Sequence, residues 1–234
     1  MTTISPKHLY DILLDDFGPQ HWWPIDKQYH QDQKSDPRFE IMIGAILTQN
    51  TAWTNVEKAL HNLKKQKALT IHAIMHTEEE SLKIMIQPSG FFNQKAGRLK
   101  LFSAYIHKEY QDDLQKFFSR NTAEIRTELR SLKGIGPETA DSILLYAGNH
   151  PVFVVDSYTK RICQRLPFEV INDSYDDIQH FFDHELQCIV PKKELVSTYQ
   201  EFHALLVELA KRYCWKKNPS CNRCGLTNLC EKLL

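Results

Sequence analysis

The sequence predicts an all-α protein in two lobes. Apolar residues recur at three- and four-residue steps along most of its 234 residues, which is the mark of helices with one buried face. The one strand-like run, VFVV at 152–155, is too short to build a sheet. The length suffices for one large core or two modest ones. The expected division is a helical barrel domain over 35–149 and a second helical domain assembled from 1–34 and 150–234. The stretch YHQDQKSDP (29–37) is the clearest linker by composition.

The elements follow in order. From Phe39 to Leu63 the residues Ile43, Ile46, Leu47, Trp53, Val56, Leu60 and Leu63 keep a helical period. GRLKLFSAYIHKEY (97–110) and AEIRTELRSL (123–132) keep it too, the latter with Asn121 and Glu124 as a capping pair. A further helix is expected over 138–147, and Pro137 suits its first position because no N–H is needed there. Asp156 opens a helix through SYTKRICQRL, and TYQEFHALLVELAKRYC (198–214) is the last long one.

Composition narrows the class. Apolar residues make up 42% and charged residues 25%, the formal net charge is zero and mean hydropathy is −0.45, all ordinary for a globular protein. The opening MTTISPKHLYDILLDDFG lacks a basic start followed by an apolar core, so no signal peptide is expected. No run of about 18 apolar residues exists, which argues against a membrane span. The expected setting is the cytoplasm, with reduced thiols. Charge placement says more than charge total. Lys211, Arg212, Lys216, Lys217, Arg223 and Lys232 face a single acid, Glu231, near the end of the chain, and Lys95, Arg98 and Lys100 form a second basic group. Such patches can meet phosphate, although a solvated basic tail is the plainer alternative.

Three motifs carry chemistry. Cys214, Cys221, Cys224 and Cys230 follow the spacing C-x6-C-x2-C-x5-C. Four thiolates on one short loop need a cation, and soft sulfur suits zinc or an iron–sulfur cluster; spacing alone does not choose. Cys163 and Cys188 stand apart and read as small core residues. LKGIGPETA (132–140) places Gly134 and Gly136 before a proline-started helix, and a turn that aims backbone N–H groups at a ligand needs glycine's freedom. Such a turn at a helix start suits one phosphate oxygen; a plain helix–helix turn is the alternative. Asp156 suits a helix N-cap, where the dipole keeps a carboxylate ionised.

Together, the closing cysteine spacing, LKGIGPETA and VVD (154–156) resemble the endonuclease III family of helix-hairpin-helix (HhH-GPD) DNA glycosylases over roughly residues 35–230. The resemblance implies a two-lobed glycosylase fold with the helix-hairpin-helix at about 123–147 and a [4Fe–4S] cluster on Cys214, Cys221, Cys224 and Cys230, in a loop spanning 214–230. It implies phosphate binding by Lys133, Gly134, Ile135, Gly136 and Thr139, with Lys95 on a second DNA-facing loop, GFFNQKA (90–96). Gln49 and Asn50, in GAILTQNTAWTNVEKAL (44–60), would fill the gap left by a flipped nucleotide. Asp156 would be the catalytic carboxylate.

Strand-cutting members carry a lysine where this chain has Glu138, so a monofunctional enzyme is expected. HWWP (21–24), with the other motifs in the same order, resembles the 3-methyladenine glycosylase branch of the MagIII type. Trp22, Trp23 and Pro24, with Lys211 and Phe39 nearby, would then line a base pocket suited to a cationic alkylated purine. Retention of the cysteine motif departs from that branch. An endonuclease III-like glycosylase/lyase for oxidised pyrimidines and a non-catalytic Fe–S DNA-binding or redox-sensing protein are the competing readings. The implied partner is double-stranded DNA with damaged bases, met by a monomer, at the nucleoid if the source is bacterial.

Overall fold

The computed structural model describes residues 3–169 and 172–230. Among them every regular element is helical, as the periodicity predicts. Contacts divide the chain into two compact units, Met1–Trp22 with Asn149–Leu234, and Trp23–Gly148. No helix among the described residues is long and apolar enough to cross a membrane.

The first unit opens with α1 (Pro6–Phe17), started by Ser5, whose hydroxyl accepts the His8 N–H, with proline at the first position. The chain then builds the second unit: α2 (Lys27–Gln33), α3 (Arg38–Leu47), α4 (Trp53–Lys65), α5 (Ile71–His76), α6 (Glu79–Ile86), α7 (Phe92–Tyr110), α8 (Leu114–Phe118), α9 (Thr122–Ser131) and α10 (Pro137–Ser142). The last of these widens into a π-helical turn over Ile143–Ala147. Back in the first unit follow α11 (Ser157–Cys163), α12 (Tyr175–Gln187) and α13 (Leu195–Arg212).

In the second unit α7 packs on α5 and α6, α4 on α6, and α3 on the π turn. In the first, α13 packs on α1 and α11. The run Val152–Val155 is buried and lies outside any regular element, so it is not a strand. It is held by α12: Gln179 donates to the Phe153 carbonyl (2.6 Å), and Phe153 stacks on Phe182 with centroids 4.5 Å apart.

Two expectations need correction. Residues 29–37 are not a linker. They contain most of α2, and His30 lies buried with Nε2 2.9 Å from Glu40 Oε2 and Nδ1 2.8 Å from Ser35 Oγ. Lys64 bridges Glu40 (3.0 Å) and Asp26 (3.2 Å). This network ties α2 to α3 and α4, so the boundary falls at Trp22/Trp23 rather than at 34/35. The periodic run 39–63 is also two helices. It breaks over 48–52, where Asn50 takes a left-handed φ of 56°.

Candidate active site

The hairpin joins α9 to α10. Asn121 caps α9 through its side chain, which accepts the Ala123 N–H at 2.9 Å, while Glu124 reaches Arg120 (3.5 Å) instead of closing a capping box. Past Ser131 the chain turns at Gly134, whose φ of +88° other residues rarely adopt. A Cβ there would also sit 2.7 Å from Arg98 Cδ, so the glycine is needed twice over. Gly136 differs: its backbone is extended, and an added Cβ would meet nothing within 4 Å. Lys133, Gly134 and Gly136 are exposed. Ile135 is buried and its N–H is spent on the Leu132 carbonyl (3.1 Å), so it anchors the turn and offers no donor to phosphate. Thr139 is likewise buried, its hydroxyl accepting from Gln49. Exposed Glu138 occupies the first turn of α10.

Behind the hairpin lies the 48–52 loop. Gln49 donates through Nε2 to the Gly134 carbonyl and to Thr139 Oγ1, both at 2.9 Å, and its Oε1 accepts from Arg98. Neighbouring Asn50 is exposed. The expected phosphate contact from Lys95 is overturned. Its side chain is 1% exposed, and Nζ donates to the carbonyls of Leu47 (2.8 Å) and Ser89 (2.7 Å). Burial pulls its pKa down to about 8, aided by Arg98. Lys100 is also turned inward, onto the carbonyls of Met75 and Thr77. On that second loop Phe91 is 59% exposed on a left-handed φ of 47°, and Asn93 and Gln94 are exposed beside it.

Trp23 belongs to the second unit and packs there. Its ring stands edge-on to Trp53 at 5.1 Å and tilted to Tyr146 at 5.3 Å. A Cβ on Gly44 would come within 2.9 Å of Trp23 Cζ2, so α3 is shaved to admit the indole. Tyr146 is supplied by the π turn, a distortion common at functional sites. Pro24 is exposed and Trp22 half-buried in the other unit. Phe39 is fully buried core and does not line a surface pocket. Lys211 is exposed in the last turn of α13, its carbonyl accepting the Trp215 indole N–H (2.7 Å).

In the first unit Asp156 caps α11. Its Oδ1 accepts the Thr159 N–H (2.7 Å) and hydroxyl (2.9 Å), while Oδ2 lies 3.6 Å from His203 Nε2. The side chain is 13% exposed. Burial by itself pushes its pKa up, but His203 and the Thr159 bonds outweigh it and hold the carboxyl below its usual range. Sequence reasoning missed His203. The signal was a histidine among Phe202, Ala204, Leu205 and Leu206 on the buried face of α13. Cys163 nearby is inert: burial pushes its thiol up to about 12. Cys188, by contrast with its expected core placement, is exposed.

Cys214, Cys221, Cys224 and Cys230 line one cavity with Arg165, Tyr213, Pro219 and Thr227. Arg165, itself buried, approaches Cys214 Sγ at 3.2 Å and donates to the Trp215 carbonyl at 2.8 Å. Arg161 Nε donates to the Cys214 carbonyl at 2.8 Å. Among the described residues no three His, Cys, Asp or Glu are grouped to hold a single metal ion. The donor set around that cavity is four soft thiols, and Lys216, Lys217 and Arg223 of the same loop are exposed.

Residues 43–187 match the HhH-GPD superfamily of base excision DNA repair proteins. The chain belongs to that superfamily. That places it among the DNA glycosylases of base excision repair. It is 43% identical over 226 residues, 95% of this chain and 94% of the relative, to a Methanocaldococcus jannaschii protein that carries the provisional name DNA repair glycosylase. It also resembles the crystal structure of the Helicobacter pylori 3-methyladenine DNA glycosylase (MagIII) bound to 1,N6-ethenoadenine. That match has a TM-score of 0.70 at 31% identity and covers 89% of this chain and 98% of that one. A trapped endonuclease III–DNA covalent intermediate gives a TM-score of 0.75 at 23% identity, covering 98% and 97%, and shares the fold.

Proposed function

We propose that this glycosylase is monofunctional and that it extrudes alkylated purines, 3-methyladenine foremost, from duplex DNA as a monomer. The observation that carries the reading is Asp156, a nearly buried carboxylate kept ionised by a helix start, Thr159 and His203. Breaking the C1′–N bond leaves its electron pair on the departing base and positive character on the sugar. A fixed negative group stabilises that charge, at a value of roughly 10²–10³ in rate for a single preorganised partner. Water then adds to C1′, and Asp156 takes its proton. An N-alkylated purine already bears positive charge, so it departs with little acid assistance. Electron-rich rings attract such a base, and Trp22, Trp23 and Pro24 are the residues we assign to it.

Glu138 supports the monofunctional assignment. It stands where strand-cutting members carry an amine, and a carboxylate cannot form a Schiff base with the sugar. Lys133, Gly134 and Gly136 present the exposed face of the hairpin to one phosphate. We assign the four thiols, which line one cavity, to a [4Fe–4S] cluster on the strength of the endonuclease III-like cysteine spacing. When bound, such a cluster supplies structure: it folds the basic loop of Lys216, Lys217 and Arg223.

The test is a screen of duplexes carrying methylated, oxidised and deaminated bases, run with borohydride. Excision of 3-methyladenine without a covalent adduct is expected. A trapped adduct would convert the reading to a glycosylase/lyase. Equal excision by Asp156→Asn would remove the carboxylate from the mechanism.

A further inference from the structure

We infer that Gln49 and Arg98 are positioning residues that clamp the phosphate-binding hairpin, and that Gln49 does not fill the duplex gap. The inference rests on the hairpin reading above. The hydrogen bonds leave no ambiguity in the amide. A carbonyl oxygen only accepts and a guanidinium only donates, so Gln49 must turn Nε2 to Gly134 and Oε1 to Arg98. With Thr139 Oγ1 as second acceptor, the amide is engaged on both of its atoms. Entry into a duplex would break all three bonds at once.

The partners are built to hold it there. Arg98 runs through the space a Cβ on Gly134 would fill, with Cδ 2.7 Å from that point. One glycine thus serves the turn and admits the arginine. Two residues before Gln49, the Leu47 carbonyl is gripped by buried Lys95, which also grips Ser89. The end of α3, the 48–52 loop, the start of α7 and the hairpin therefore form one hydrogen-bonded block. Its effect is to fix the Gly134 peptide before DNA arrives, so that ordering the turn is not charged against binding. Arg98 also brings a positive charge against the turn where an anion is to sit.

The experiment uses the full chain with Gln49→Ala, Arg98→Lys and, as control, Gly134→Ala. Affinity is measured for undamaged duplex and for an abasic-analogue duplex with 2-aminopurine opposite the gap; KM and kcat are measured on the excised lesion. We expect Gln49→Ala and Arg98→Lys each to weaken both duplexes alike, by roughly fivefold for one lost hydrogen-bonded contact. The loss should fall on KM, and 2-aminopurine emission at saturation should match wild type. Lysine keeps the charge but lacks the fork, so wild-type behaviour of Arg98→Lys would overturn the clamp. So would a Gln49→Ala protein that binds undamaged duplex normally yet alters the saturated 2-aminopurine signal. If Gly134→Ala leaves duplex affinity untouched, the hairpin reading itself falls; if it weakens binding and Gln49→Ala does not, only the clamp falls. Arg98→Lys preserves the test should Gln49→Ala fail to fold.

Discussion

The carboxylate of Asp156 and the imidazole of His203 set the pH behaviour. Burial alone would raise Asp156; the histidine and Thr159 reverse the sign and leave its folded pKa depressed. The contribution to stability is then present above the ordinary carboxylate value near 3.9 and is lost as pH falls through the lower folded value. Removing the imidazole, as in His203→Leu, leaves only the Thr159 bonds to oppose burial. The acid limb of kcat should move upward in pH, read from excision rates between pH 4 and 8. An unmoved limb would show that His203 is only packing. Asp156→Asn can still accept the Thr159 N–H, so it should fold normally while losing roughly 10²–10³ in excision rate. Lys95 gives a contrasting prediction. Lys95→Met strips two buried carbonyls of their donor and should cost about 2–4 kcal/mol in urea unfolding. The slope of DNA affinity against salt should stay as in wild type, because Lys95 reaches no phosphate.

Elements were legible where one side chain type or one period decides them. Asn121 and Asp156 at helix starts, Pro137 after the hairpin, and the apolar stripes of α7 and α13 depend on neighbours a few residues away. The four cysteines announce a shared site by spacing alone. What stayed hidden depends on partners distant in sequence. The stretch 29–37 is polar because its polarity is used internally: His30 meets Glu40, and Lys64 meets both Glu40 and Asp26. Basic residues 95, 98 and 100 read as a phosphate patch, yet two of them cap carbonyls and one holds a glutamine. The bonded network also makes a prediction. Burial raises Glu40, and His30 and Lys64 more than reverse it, so its carboxylate stabilises the fold above about pH 4.3 and ceases to as pH falls through the lower folded value. Glu40→Leu leaves Lys64 without its buried partner and should cost about 3 kcal/mol or more at neutral pH, with a shallower loss of stability in acid. A change under 1 kcal/mol would show the network to be replaceable.

At the scale of the whole molecule, zero net charge and a DNA substrate are compatible only if the useful positive charge is local. The internal bonds sharpen which charges are available. Lys95, Lys100 and Arg165 are committed inside the protein, whereas Lys133 in one unit and Lys216, Lys217 and Arg223 in the other are exposed. If these four meet phosphates, log affinity for undamaged duplex should fall against log salt with a slope of about −3.6, at about −0.9 per neutralised phosphate. Lys133→Gln should reduce that slope by about one, and Lys216→Gln by about one again. The double variant then reports whether both units grip the same duplex. Additive losses of slope mean that each lysine neutralises its own phosphate in a single complex. A double variant no worse than Lys133→Gln alone would mean that the cysteine loop stays off the DNA, and that the hairpin unit carries the backbone contacts by itself.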